Sequence, residues 1–463
     1  MSFFESILGM FSPGKSAKPS AAVRRRSQGS FVPSDVAEEP AAVILVADLD
    51  GDTGNKETAR LEELLGEREE LKVSRLAKKL KLSGQGGLLE KLTAAAERGR
   101  QQLAAAGADI LIWGEVTERG DGVVLRLLPA ASDVDGKPGS FGLGNTLELP
   151  AGFSGPLADI LCATVLAAVG PVKAGDRQRL YTTLEAVLEK VNGLVETLPA
   201  GLGADRETSV LTCLGNAFAA LWRLSAGEGR LERATQAYAA AIEKITLPHE
   251  KPLTWALTQN HLAAALEALG ERDKDPAPFE AAAASYRSVA GILSSSAHAN
   301  DWALAHTRLG MALYRQAAIT GRAATLQDSV EAFNTSLGVY TRAAMPGRWA
   351  EVTNQLGVAY MALGEQVGGT KPLEQSVAAF RSALEVRGRE ATPLLWAQTA
   401  NNLGAATFSL AKRNNEIGLL NEASACFEGA IEVYAQHDRP KIVTVIKKNL
   451  HRVQRLLETR RGF

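Results

Sequence analysis

The chain has 463 residues, enough for two or three domains, and a formal net charge of −1 that gives no global attraction to nucleic acid, so no nucleic-acid partner is expected. Its cysteines, Cys162, Cys213 and Cys426, are dispersed in apolar helical stretches, and its six histidines lack paired ligand spacing, which argues against a disulfide framework or a zinc site. The longest uncharged apolar run, residues 160–172, falls well short of the ~20 residues a spanning helix needs. With no basic residue before the apolar start of the chain, a cytoplasmic protein without a secretory signal is expected.

Residues 1–39 read as an amphipathic segment followed by a disordered basic linker. Phe3, Phe4, Ile7, Leu8 and Phe11 share one face of a short helix, with Glu5, Ser6 and Gly9 opposite. Lys15, Lys18, Arg24, Arg25 and Arg26 follow, so five cations against Glu5 give residues 1–30 a formal charge of +4. Such a segment suits reversible binding to an anionic surface on the inner face of a membrane; docking on a partner protein and a disordered tail are the competing readings.

Residues 40–150 alternate strand and helix signals. AAVILVADL reads as a buried strand, 56–65 and 88–106 as helices, and LKVSRL, ADILIWGEV and GVVLRLLPA as further strands, the last two joined by a turn at ERGDG. The expected domain is a small α/β fold of order β-α-β-α-β-β. ILVADLDGD, GADILIWGEV and the hairpin into VVLRLLPA resemble the amino-terminal domain of TolB-type proteins, and that resemblance implies a non-catalytic, partner-binding module.

The strand end carries Asp48, Asp50 and Asp52 on one side of an extended chain, where carboxylates could hold Mg²⁺ or Ca²⁺. The same run resembles the haloacid-dehalogenase phosphatase motif, which would make Asp48 the nucleophile and Asp50 the acid. A third acid after Gly51 departs from that motif, no closing acid pair follows a strand, and the domain is too small for the fold. The favoured reading is a turn that caps the next helix, with no catalytic residue, no metal and no cofactor.

From about residue 155 every segment reads as helix: connecting helices over 155–204, then a repeat over 205–463. Trp255, Trp302, Trp349 and Trp396 are each 47 residues apart, and Leu262, Leu309, Leu356 and Leu403 each follow seven residues later. Tyr238, Tyr286, Phe333, Phe380 and Phe427 mark a partner helix, each with a small residue four positions earlier. Prolines at 252, 346, 393 and 440 start first helices, as their fixed φ favours. Two phased series define five helical hairpins and a terminal helix near 441–459.

Leu-Gly in the first helix, then a small residue and an aromatic four apart in the second, resembles the tetratricopeptide repeat, in the long form found in proteobacterial proteins. The fold class is therefore α+β, mostly α: a small α/β domain followed by an all-α tetratricopeptide-like solenoid. The family's geometry implies a concave groove lined by Asn260, Thr307, Asn354 and Asn401, with Met311, Tyr314, Met361 and Phe408 in an apolar strip beside them. Asparagine can both donate to and accept from an extended peptide backbone. The alternative is that these amides bond to neighbouring helices. The function expected is a non-catalytic scaffold for a protein or peptide partner, tethered to the membrane face by its amino terminus. The alternatives are a metal-dependent enzyme or metal-binding domain at Asp48, Asp50 and Asp52, and a self-assembling structural protein that forms homo-oligomers.

Overall fold

A computed structural model describes residues 40–461, apart from 84–86, 131–136 and 171–173. The expected amphipathic segment, Phe3, Phe4, Ile7, Leu8 and Phe11, lies outside the described residues. Packing divides the chain into one unit that ends at Thr320 and another that begins at Gly321.

The first unit opens with the α/β elements: β1 (Ala42–Ala47), α1 (Lys56–Gly66), β2 (Leu71–Leu76), α2 (Leu88–Ala106), β3 (Ile110–Val116) and β4 (Gly122–Pro129). A fifth strand that the sequence pattern did not announce, β5 (Leu147–Pro150), completes a sheet of order β2-β1-β3-β4-β5. β1 runs parallel to β2 and β3, while β3, β4 and β5 are antiparallel neighbours. Alternation along β1 splits its side chains between two cores. Ile44 and Val46 face one side with Leu61 of α1, and Leu45 and Ala47 face the other with Leu92 and Ala96 of α2.

α3 (Pro156–Ala168) and α4 (Ala174–Val191) follow. The 155–204 stretch, expected as connecting helices, is instead part of the core. α3 is apolar nearly all round, and Ile160, Leu161, Val165 and Leu166 are fully buried in a cluster that also holds the sheet and the first hairpin. α5 (Ala204–Leu224) pairs with α6 (Arg230–Glu243), and α7 (Pro252–Asp273) with α8 (Pro276–Ile292), before α9 (Ala299–Thr320) ends the unit.

The second unit contains α10 (Ala323–Leu337), α11 (Pro346–Val367), α12 (Lys371–Leu384), α13 (Pro393–Asn414), α14 (Ile417–Gln436) and α15 (Pro440–Arg461). α11 with α12 and α13 with α14 form hairpins, and α15 packs on α14. The repeat phase has a steric cause. A Cβ on Gly357 would lie 2.8 Å from the Phe380 ring, one on Gly404 3.0 Å from Phe427, and one on Gly215 2.5 Å from Tyr238. A glycine inside a helix costs about 1 kcal/mol against alanine. Here it admits a large ring that is fully buried in each hairpin, and that burial outweighs the cost. The small residue four before the aromatic has its own contact: Ser376 donates to the Gly357 carbonyl at 2.7 Å.

Trp396 lies between the Arg389 guanidinium, 5.0 Å from its ring centroid, and Gly429 of its own hairpin. Trp349 carries Arg342 in the same way, 47 residues earlier. The tryptophans are packing residues at the hairpin entrances.

Candidate functional site

The proposed groove positions are mostly inaccessible. Asn354, Asn401 and Met361 are each 1% exposed, and Thr307, Tyr314 and Phe408 are also buried; only Asn260 and Met311 are half-buried. The expectation that they line an open groove is corrected for the buried six. For Asn354 and Met361 on α11, and for Asn401 and Phe408 on α13, the reason is that these successive first helices, each 22 residues long, touch along this face. Asn402 of α13 donates to Asn354 Oδ1 of α11 at 3.3 Å, and Asn401 Nδ2 lies 3.5 Å from Asn402 Oδ1. Thr307 donates to its own helix at Ala303 O, and the buried Tyr314 hydroxyl has no partner among the described residues. The Phe408 ring lies beneath Lys412, whose Nζ is 5.6 Å from its centroid.

The strand-end aspartates are also engaged, each separately. Asp48 pairs with Arg75 at 2.8 Å, and Asp50 lies 3.2 Å from Lys81 and 3.9 Å from Lys79. Asp52 is buried and caps α1, accepting from Thr58 N and Thr58 Oγ1 at 2.8 Å each and from Glu57 N at 3.3 Å. Burial alone would raise its pKa, but these hydrogen bonds outweigh it and hold the carboxyl below its ordinary range. The three carboxylates do not converge, and among the described residues no group of three metal-ligating side chains does.

Two features were not anticipated. The first is a cavity of about 580 Å³ between β5, the start of α5 and the segment that joins α6 to α7. β5 is an edge strand, and Ser209 of α5 stands where the next strand would be. Its hydroxyl accepts from Glu148 N and donates to Thr146 O, both at 2.8 Å. Leu147 and Leu149 point into the core, so alternation sends Glu148 the other way, into the cavity wall. Burial and the nearby Asp205 push the Glu148 carboxyl above its ordinary pKa, against the opposing pull of Lys251, Arg206 and Arg126. Beside it Asn145 accepts from Gly142 N, which directs its Nδ2 at His261 Nε2, 2.9 Å away. His261 is stacked on Tyr238, and burial lowers its pKa to about 4.

The second feature is α15. Elsewhere arginines find a carboxylate about one repeat away: Arg272 with Glu232, Arg315 with Glu267, Arg413 with Glu365, Arg381 with Glu422. On α15 the exposed Lys447, Lys448, Arg452 and Arg455 have no carboxylate within ion-pair distance among the described residues. Lys448, Arg452 and Arg455, at i, i+4 and i+7, share one side of the helix, and Lys447 adjoins them.

The chain is thus an α/β domain joined to long helical hairpins. No protein-family model and no curated protein matches the sequence. Among solved structures, apo RapI aligns with 61% of this chain and 94% of its own at 8% identity and a TM-score of 0.34. A circular tandem repeat protein aligns over 81% of this chain and 90% of its own, at 13% identity and 0.29. A signal transduction ATPase with a tetratricopeptide repeat sensor, from Pyrococcus horikoshii, aligns over 90% and 82%, at 10% identity and 0.22. The repeat assignment rests on this chain's own periodicity and helices. No helix among the described residues is long and apolar enough to cross a membrane.

Proposed function

We propose that this chain is a non-catalytic protein-interaction scaffold that holds an acidic partner against the exposed side of α15. The observation that carries the reading is the set of four cations, Lys447, Lys448, Arg452 and Arg455, left without carboxylates where other repeat arginines have them. A terminal helix needs only a polar outer face for solubility. A face on which four cations outnumber the single exposed Glu458 adds attraction for a complementary surface and suppresses wrong partners. Cross-linking and mass spectrometry on the full chain test this. Cross-links from Lys447 and Lys448 should reach an acidic segment of another protein, and R452E/R455E, which keeps both lysine amines and reverses the charge beside them, should abolish them without lowering the melting temperature. Recovery of the same partner by the reversed variant would reject the reading, and cross-links to a second copy would favour the self-assembling alternative.

A membrane tether is a second reading, supported by the charge of +4 over residues 1–30 beside Phe3, Phe4, Ile7, Leu8 and Phe11. Each basic residue near an anionic surface contributes about 1 kcal/mol, so binding should fall with salt. Co-sedimentation should be strong on anionic vesicles, weak on neutral ones, and lost in F4D/L8D. Equal binding to both vesicle types would reject it.

A further inference from the structure

We propose that the cavity between β5, α5 and the α6–α7 segment binds a small organic cation bearing N–H donors, an amine or guanidinium compound, with Glu148 as its counter-charge. The volume, about 580 Å³, is that of a small-molecule site. What selects the class of ligand is the polarity of the wall. Thr212 donates its hydroxyl hydrogen to Thr208 O at 2.8 Å, and Thr258 donates its own to Thr254 O at 3.0 Å. With their hydrogens committed to their own helices, the two oxygens, 3.4 Å apart, meet as lone pairs that a donor placed beside them would satisfy. These two hydroxyls of the wall therefore accept hydrogen bonds and seek donors.

The charges agree with the hydroxyls. Two lysines border the cavity, and each is neutralised: Lys244 by Glu207 at 2.8 Å and Lys251 by Asp205. Glu148 is different. It accepts no hydrogen bond and forms no ion pair among the described residues, although its backbone is fixed to Ser209 on the sheet edge. A carboxylate half out of water, on a rigid strand and without a donor, is the group that a bound cation would satisfy. An anion would meet the same lone pairs and the same carboxylate as repulsion. Leu257 and Ile245 supply apolar wall for a short alkyl chain. This site is independent of α15.

Calorimetric titration of the full chain with agmatine and with 1,4-diaminobutane tests the proposal, with 1,4-butanediol as a neutral counterpart of similar shape. Saturable binding of a cation is expected, with none of the diol. E148Q should weaken binding by about tenfold or more through loss of the charge-assisted contact. T258V, which keeps the volume and removes the hydroxyl oxygen, should weaken it by a smaller factor. Circular dichroism of both variants establishes that each is folded. No saturable binding by either cation, or the same affinity in folded E148Q, would overturn the proposal, as would binding of the diol as tight as the diamine.

Discussion

The end of β1 and the middle of β5 both place carboxylates beside the start of a helix, and they are treated in opposite ways. At β1 the acids are conspicuous in sequence and fully engaged: Asp48 by Arg75, Asp50 by lysines, Asp52 by the first turn of α1. At β5 a single glutamate within LELP has no such partner and lines a cavity. The carboxyl below its usual pKa is structural, and the one above it is available. A dense acidic motif is therefore a poorer guide to a site than one acid whose hydrogen-bonding capacity is unmet.

The contrast can be broken in four ways. The largest effect should come from pH acting on His261, whose neutral ring orients the cavity side chain Asn145. Its pKa falls from 6.5 to about 4 on folding, so the unfolded chain binds the proton more readily between those values. Stability should be complete above about pH 6.5 and decline by roughly 3 kcal/mol as pH falls toward 4. H261Q should flatten that decline. Denaturant titrations from pH 7 to 4 measure it, and an unchanged slope in H261Q would assign the acid sensitivity elsewhere.

Asn354→Ala comes next, because it leaves the buried Asn402 amide without its acceptor across the hairpins. A cost of about 1–3 kcal/mol is expected. Thermal melts would show it, and a neutral result would mean that the amide contact between α11 and α13 contributes nothing to stability. Asp52→Ala should cost about 1 kcal/mol, typical of a lost N-cap, with the loss disappearing as pH falls through the depressed pKa of the carboxyl. Glu148→Gln should have the smallest effect and the opposite sign. At neutral pH it removes a partly buried charge, so the melting temperature should hold or rise slightly. A marked fall would mean that Glu148 has a structural partner and would weaken the distinction between the two sites.

The two halves of the chain were legible to different degrees. The hairpins could be read because their determinants are local: glycine on one helix and an aromatic 23 residues later interlock wherever the pair recurs, as at Gly357 and Phe380 or Gly404 and Phe427. Proline at the first position of α7, α11, α13 and α15 marked the helix starts. β5 escaped notice because four residues with only Leu147 and Leu149 alternating are too short a pattern. The cavity could not be read at all. Its wall joins residues 144–148, 204–212 and 244–258, which no spacing rule connects.

The sequence by itself determined that the chain beyond about residue 155 is helical, where the proline-led first helices begin, which side chains repeat, and that β1 to β4 form an α/β domain. These follow from periodicity, capping and excluded volume within a few tens of residues. Only the tertiary structure decided which polar groups are consumed. An asparagine two residues before a repeat leucine faces solvent or another helix according to how closely the next first helix approaches, and at Asn354 and Asn401 that helix closes the face. A glutamate on a strand is neutralised or left open according to what packs on the sheet edge, and at Glu148 Ser209 takes the backbone and leaves the carboxylate to the cavity. Burial and hydrogen-bond satisfaction are properties of neighbours distant in sequence, so they emerge only when the helices pack.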